Sequence, residues 1–82
     1  MIIETKFNVG DKVYYIENEK LIELELMTIN VFITEKESYY IEYKGEDSDG
    51  NLYWPLENEL FEDKTQAFND LIETLKIKFD IE

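Results

Sequence analysis

The sequence contains no cysteine, no histidine and no arginine, and it has one proline and three glycines. Without cysteine the chain forms no disulfide and no cysteine-based zinc site, which fits a reducing compartment. The side chains that most often act as nucleophiles and general bases are missing, as is a glycine-rich phosphate loop. We therefore expect a protein that is not an enzyme and that uses no cofactor and no metal.

Long hydrophobic segments are also missing, because unbroken apolar runs reach only three or four residues. A membrane-spanning helix needs about 20 predominantly apolar residues, and a secretory signal needs a basic start followed by an apolar core. Residues 1–12 have neither pattern. The sequence thus predicts no signal peptide, no contact with a membrane and a cytoplasmic location.

Negative charge is what the chain has in excess. Twenty Asp and Glu stand against eight Lys, so that the net charge is −12 over 82 residues. Such a field repels nucleic acid and attracts basic surfaces. A hydrophobic content of 44%, with 15% aromatic residues, argues against disorder. We expect a single folded domain over residues 1–82.

The strongest local pattern lies between residues 39 and 55. Two runs rich in aromatic and β-branched residues flank Asp49-Gly50, which is typical of a hairpin with a two-residue type I′ turn. This turn would place Tyr43 opposite Leu56 and Trp54 across Gly45. The core face would consist of Ile41, Tyr43, Gly45, Leu52, Trp54 and Leu56. The other face, open to water or a partner, would consist of Tyr40, Glu42, Lys44, Glu46, Tyr53, Pro55 and Glu57.

Two more strands are predicted before this hairpin, over residues 12–17 and 21–34. In the second strand the alternation of apolar residues changes phase, since Leu24 and Leu26 share one parity and Ile29 and Val31 share the other. A β-bulge or bend near residues 26–28 would explain the change, because one extra residue reverses the face of everything after it. A strand bent in this way can serve two sheets.

The last part of the sequence predicts one helix over about residues 64–79. Asp63 and Gln66 have the spacing of a capping box. An apolar stripe follows at helical spacing, formed by Ala67, Phe68, Leu71, Ile72, Leu75 and Phe79. Before the helix, Pro55 indicates a strand end or a sheet edge, and residues 57–61 indicate a tight turn or 3₁₀ segment. The predicted fold class is α+β: four to five antiparallel strands closed into a small barrel over about residues 6–61, then the C-terminal helix.

Two stretches resemble known proteins. The stretch KFNVGDKVYYI, residues 6–16, resembles the first part of small SH3-like barrels of the KOW and Tudor type. The stretch YWPLENELFEDKTQAFNDL, residues 53–71, is similar to the end of small uncharacterised bacterial and phage proteins. The resemblance implies an SH3-like barrel in a bacterium or a phage-infected host cell. KOW modules bind RNA through basic loops, whereas the loops here are acidic, so we expect no direct nucleic-acid binding.

Two patterns that could indicate chemistry have simpler explanations. Asp47, Asp49 and Asn51 with Gly50 resemble part of a calcium loop, but the closing Glu of such a loop is replaced by Asn58. A hairpin turn explains these residues better. Paired carboxylates act in glycosidases and aspartic proteases, but carboxylates are so abundant in this chain that a close pair indicates nothing.

The candidate functional residues are carboxylates and tyrosines between residues 40 and 63. Only Lys44 offsets the negative charge of residues 42–63. Exposed tyrosines beside carboxylates are common at protein interfaces, although these rings could equally cover the barrel ends or pack under the helix. The candidate partner-binding set is Tyr40, Glu42, Glu46, Asp47, Asp49, Tyr53, Glu57, Glu59, Glu62 and Asp63.

The acidic surface has three interpretations: solubility alone, docking to a basic protein, or imitation of nucleic-acid phosphates. We expect a non-enzymatic module that binds a basic or mixed protein surface, for example that of a nucleic-acid-binding protein. The alternative is a phage-type inhibitor that mimics nucleic acid and blocks a host DNA- or RNA-binding defence enzyme. The sequence leaves the oligomeric state open.

Overall fold

The computed structural model describes residues 2–36 and 38–79. The elements in chain order are β1 (Lys12–Glu17), β2 (Lys20–Glu35), β3 (Ser38–Glu46), β4 (Leu52–Tyr53), a 3₁₀ turn (Glu57–Glu59), β5 (Leu60–Phe61) and α1 (Lys64–Phe79). The five strands form one antiparallel sheet in the order β4-β3-β2-β1-β5. The predicted α+β class is therefore confirmed. Within the described residues β4 and β5 do not pair with each other, so the sheet is open and the predicted closure into a barrel is not seen.

One face of the sheet carries the core. Val13 lies opposite Leu24 in the β1–β2 pair, and Leu26 lies opposite Gly45 in the β2–β3 pair. A Cβ atom at Gly45 would lie 3.1 Å from the Cβ of Leu24, which is tighter than most contacts of a Cβ atom, so the close packing of β2 and β3 favours glycine here. The buried cluster consists of Phe7, Val13, Leu24, Leu26, Ile41, Tyr43 and Leu60.

The predicted change of phase in β2 is confirmed. The pairing register with β3 shifts directly after Leu26, so that Met27 is an extra residue in β2. A bulge of this kind reverses the alternation of side chains, so that the odd-numbered residues after Met27 point to the core as the even-numbered ones do before it. Leu26 before the bulge is buried, and Ile29 after it packs against the same core. A second register shift lies between Ile33 and Glu35.

The predicted register of the β3–β4 hairpin is wrong by one residue. Gly45 lies opposite Tyr53 and not opposite Trp54, and Leu56 forms a bridge with Glu42 and not with Tyr43. Because side chains alternate along a strand, shifting β4 by one residue relative to β3 moves every side chain of β4 to the opposite face of the sheet. Tyr53 therefore packs against the core, whereas Trp54 is 54% exposed. The other side chains whose faces are reversed are Leu52 and Leu56, both exposed, and Pro55, which is buried.

The turn itself explains the difference in register. It spans three residues, 48–50, and the N–H of Asp47 donates to the carbonyl of Asn51 at 3.0 Å. Gly50 has φ of 85°, as expected for the left-handed residue that ends a three-residue hairpin loop. The carboxylate of Asp47 accepts the N–H groups of Asp49 and Asn51, each at 2.9 Å. This Asx turn fixes a longer loop than the Asp-Gly pair alone suggests.

Strand β4 ends at Tyr53, which confirms that Trp54 and Pro55 lie at a strand end. The carbonyl of Pro55 still accepts the N–H of Tyr43 at 2.9 Å, but a proline has no N–H to return. The chain then turns away from β3 into the 3₁₀ turn, where the carboxylate of Glu59 accepts the N–H of Leu56 at 2.8 Å.

We place helix α1 on the part of the sheet near β1 and β5, on the face opposite the core. It contacts β1, β2 and β5, yet its buried residues Ala67 and Leu71 lie outside the core cluster. The half-buried side chains of Tyr14, Ile16 and Phe61 alternate with core residues and so lie on this face. We infer that the helix packs on them and that the molecule has two apolar layers.

Asp63 caps the start of α1 as predicted, because its carboxylate accepts the N–H of Thr65 at 3.0 Å, but the reciprocal bond from Gln66 that a capping box needs is not among the hydrogen bonds of the described residues. The predicted apolar stripe is only partly used. Phe68 and Phe79 are 52% and 58% exposed. No helix in residues 2–36 and 38–79 is long and apolar enough to cross a bilayer.

Candidate functional site

The far part of the β2–β3 hairpin carries five exposed large apolar side chains, namely Val31, Phe32, Ile33, Tyr39 and Tyr40. Strand β1 pairs with residues 20–25 of β2, and β4 pairs only with Gly45 and Glu46 of β3. We call residues 30–36 and 38–41 the arm. Among the described residues these two segments pair with each other and with no third strand. The radius of gyration of 14.4 Å exceeds the roughly 12 Å of a compact chain of this length, because the arm extends past the core.

Apolar side chains occupy both faces of the arm. On the core side, Val31 lies opposite Ile41, and Ile33, which is 66% exposed, lies opposite Tyr39. Exposed apolar side chains that adjoin one another are a common mark of a binding surface, whereas single ones are not. The arm therefore satisfies one requirement of a protein-binding site.

The opposite face of the arm carries a stacked aromatic pair. Phe32 and Tyr40 are cross-strand partners, and their ring centroids lie 4.9 Å apart with an interplanar angle of 19°. Both side chains remain exposed. Stacked rings restrict each other's motion, so the two side chains lose little further conformational entropy when a partner covers them.

Carboxylates follow this pair along the same face of the sheet. Glu25 lies opposite Lys12 on one side and opposite Glu46 on the other, so two like charges adjoin across β2 and β3. Glu23, Asp47 and Ser48 join them around one hollow, in which Lys12 is the single cation. Like charges on neighbouring strands repel each other, and a basic partner would relieve that repulsion. We call Glu23, Glu25, Glu46 and Asp47 the acidic row.

Five of the ten predicted site residues are engaged within the protein. Their side chains form hydrogen bonds that hold turns, the helix start or the core, and the five are Asp47, Tyr53, Glu57, Glu59 and Asp63. The other five make no side-chain hydrogen bond among the described residues and point to solvent or are half-buried: Tyr40, Glu42, Glu46, Asp49 and Glu62.

Glu57 is bound from two sides. The hydroxyl of Tyr43 donates to its carboxylate at 2.5 Å, and the N–H of Lys6 donates to the same oxygen at 2.9 Å. The hydroxyl of Tyr43 also accepts the N–H of Phe7 at 3.2 Å. Burial, and next the hydrogen bond with Glu57, raise the pKa of Tyr43 to about 12. Glu57 thereby ties the N-terminal segment to the core.

Asp47 contributes its charge to the acidic row although it is bound in the turn. Burial acts to raise the pKa of this carboxyl group, but hydrogen bonds from Asn51, Asp49 and Tyr53 outweigh burial and lower the pKa. The group therefore keeps its negative charge in mildly acidic solution.

The sequence interpretation missed Glu23, Glu25 and Phe32. A usable signal was present for the first two, since they alternate with Ile22, Leu24 and Leu26 and so must lie on the face opposite the core. The position of Phe32 follows only after the bulge at Met27 is placed, because the bulge decides which parity points outward.

Among the described residues, no group of three or more His, Cys, Asp or Glu side chains is arranged to hold a metal ion. A scan against protein-family models, a search of curated proteins and a search of solved structures find no significant match to this chain.

Proposed function

We propose that the protein is a non-enzymatic binding module that docks on a basic or mixed surface of another protein through the outer face of β2 and β3. One observation supports this most directly. The stacked rings of Phe32 and Tyr40 and the carboxylates of Glu25 and Glu46 lie on one exposed face of the same two strands. Aromatic anchors next to charges are the composition of protein interfaces.

The two parts of this face have different roles. The rings offer apolar area whose burial slows dissociation, so they would supply most of the affinity. The acidic row steers a basic partner during approach and fixes its orientation, so it would supply the association rate and specificity. The net charge of −12 strengthens this steering at low salt.

We also propose that the open sheet belongs to a fold of the small SH3-like barrel type. A small SH3-like barrel of the KOW or Tudor type is supported by three features: the sequential antiparallel pairing of β1 to β4, the bulged β2, and the return of β5 to pair with β1 after a 3₁₀ turn. The proposed setting is the cytoplasm of a bacterium or a phage-infected host cell.

A second candidate function is imitation of nucleic acid, so that the protein blocks a host DNA- or RNA-binding defence enzyme. The observation that favours it is the acidic row, in which Glu25 and Glu46 extend a line of negative charge across two strands. Phosphates on a nucleic acid form a comparable line. In this case DNA or RNA would compete with the protein for the captured partner, whereas a plain docking module would tolerate nucleic acid.

Charge reversal tests the proposal. We expect the triple variant Glu25→Lys, Glu46→Lys, Asp49→Lys, which reverses two charges of the acidic row and the charge of Asp49 beside Asp47, to lose the partners that the wild-type protein captures from its source cell. The matched control Glu4→Lys, Glu17→Lys, Asp70→Lys makes the same change in net charge at exposed residues outside the acidic row and should keep them. Quantitative mass spectrometry of the captured proteins gives the comparison, with circular dichroism as a check on folding.

Kinetics with the purified partner then separate the two roles. The charge variant should slow association and flatten its dependence on salt, whereas Tyr40→Ala should mainly speed dissociation. The proposal is wrong if the captured proteins survive reversal of the acidic row, or if the wild-type protein binds DNA or RNA directly near physiological salt.

A further inference from the structure

The outer edge of β3 is unpaired along the arm. Strand β4 covers Gly45 and Glu46, an isolated bridge joins Glu42 to Leu56, and no described residue pairs with the same edge between Ser38 and Ile41. Natural proteins usually protect such edges with proline, inward-pointing charges or a covering loop. This edge instead has the sequence Ser-Tyr-Tyr-Ile, which favours strand pairing.

The backbone of this edge is oriented for hydrogen bonding. The N–H of Tyr43 donates to Pro55, so the backbone groups of Tyr43 point to the side of β4. In a strand every second residue points its N–H and C=O groups to the same edge. Tyr39 therefore presents its N–H and C=O groups outward, and Ile41 presents its N–H group, while the bridge of Leu56 with Glu42 places the N–H of Glu57 beside the Ile41 carbonyl.

A groove runs beside this edge where β4 would have continued. It has a volume of about 220 Å³, and its walls include Ile41, Leu56 and Tyr39. The groove is open because Pro55 has no N–H for the ladder and the chain leaves β3 one residue later, after the bridge of Leu56 with Glu42. The groove thus combines apolar walls with unpaired backbone groups, which is the arrangement that β-strand addition uses.

Charge decides what occupies the groove. Glu57 lines the groove, Glu42 follows the lining residue Ile41 in β3, and Lys44 is the one cation of that strand. A second copy of the chain would bring the same carboxylates and another net charge of −12 to the interface, which opposes self-association. An extended segment with lysine or arginine meets the opposite sign.

We propose that an extended segment of a basic partner protein adds to the free edge of β3 as a further antiparallel strand. This inference rests on the proposed function and names its docking mode. Side chains of the added strand alternate between the faces of the sheet. Its apolar residues lie beside Tyr39 and in the groove next to Ile41, and a lysine or arginine lies beside Tyr40, whose ring attracts a cation.

A short synthetic peptide of alternating valine and lysine tests the mode of binding without knowledge of the natural partner. In the antiparallel arrangement the valine N–H groups point to β3 and the lysine N–H groups point away. N-methylation of the valines should weaken binding about tenfold or more, because each methyl group removes a backbone hydrogen bond. N-methylation of the lysines leaves the peptide with the same charge and should leave its affinity unchanged.

A variant of the protein provides the complementary test. Tyr39→Pro removes an N–H group that points to the open edge and makes no bond with β2, so it should fold and lose peptide binding. Its matched control, Tyr39→Phe, keeps the N–H and should bind normally. Fluorescence anisotropy measures the affinities, and circular dichroism verifies the fold.

The outcomes separate this inference from the proposed function. If both methylated peptides bind as well as the unmodified one, charge alone holds the peptide and strand addition is refuted, while docking to a basic partner stands. If no peptide binds and sedimentation shows a dimer that Tyr39→Pro dissociates, the edge serves a second copy and the inference is wrong. Loss of peptide binding only on valine methylation and in Tyr39→Pro supports it.

Discussion

Gly50 has a backbone conformation that few other residues accept, with φ of 85°. We predict that Gly50→Val destabilises the protein by about 1–3 kcal/mol, because a β-branched residue resists this region. No atom lies within 4 Å of the position of an added Cβ, so the cost is conformational and not a steric clash. Gly50→Asn is the matched control and should cost less, since asparagine tolerates left-handed φ. Equal midpoints for both variants in urea would contradict this account.

Tyr43 holds together three parts of the chain through its hydroxyl group, which bonds with Glu57 and Phe7. We predict that Tyr43→Phe costs about 1.5–3 kcal/mol, the range for a hydrogen bond to a charged group. Tyr40→Phe is the control, because its hydroxyl makes no hydrogen bond among the described residues and its loss should change stability by less than about 0.5 kcal/mol. Denaturant unfolding of both variants provides the measurement.

The same hydroxyl should make stability depend on pH in alkaline solution. Burial, and next the bond to Glu57, raise the pKa of Tyr43 from 10.0 to about 12, so the folded state holds this proton more tightly than the unfolded chain. The contribution is complete below pH 10 and declines as pH rises from 10 towards 12. Burial also raises the pKa of Tyr14, Tyr15 and Tyr53, which therefore act in the same direction. The stability of Tyr43→Phe should fall less steeply over this range than that of the wild-type protein.

Helix α1 uses only part of its predicted apolar stripe in packing. Leu71 is buried, with 8% of its surface exposed, whereas Leu75 is half-buried. We predict that Leu71→Ala costs about 2–5 kcal/mol and that Leu75→Ala costs less. Ile77→Ala is the control, because Ile77 is 80% exposed and alanine favours a helix. If Leu71→Ala unfolds at the wild-type midpoint, the helix is not part of the cooperative unit.

Local sequence patterns predicted one feature of the strands and failed to predict another. The bulge at Met27 could be predicted, because a change of parity in a half-buried strand has one simple cause. The register of the β3–β4 hairpin could not, because the carboxylate of Asp47 competes for the turn and selects three residues where Asp49-Gly50 suggests two. That choice moved Trp54 from the expected core to the surface.

The candidate site was less predictable than the fold for a related reason. The local sequence does not distinguish a carboxylate that is bonded within the fold from one that is free to bind a partner. The structure makes this distinction through the hydrogen bonds of Glu57, Glu59 and Asp63. Phe7 is similar, because a single apolar residue between Lys6 and Asn8 has no periodicity, yet it is buried in the core.

At the scale of the whole molecule, the net charge of −12 acts against the compact state. Local compensation is small, since the described residues contain two ion pairs, Lys76 with Glu73 and Lys78 with Glu19, both exposed. We predict that the melting temperature rises between low salt and about 0.1 M sodium chloride, where the Debye length falls to about 10 Å. A neutral osmolyte at equal osmolarity is the control. A melting temperature that falls would mean that ion pairs outweigh the general repulsion.

The pairing of β1 with β5 sets the order in which the molecule can assemble. Tyr14 lies opposite Phe61, so this contact closes a loop that contains β2, β3 and β4, whereas β2 and β3 are joined directly. Closing a long loop has a larger entropic cost, so we expect the β2–β3 hairpin to form first and β5 to add last.

Kinetics can detect this order. Leu60→Ala should mainly accelerate unfolding, whereas Ile41→Val, in the early hairpin, should mainly slow refolding. Until β5 docks, the edge of β1 stays unpaired, and a concentrated refolding mixture should lose protein to aggregation through that transient strand edge in addition to the free edge of β3.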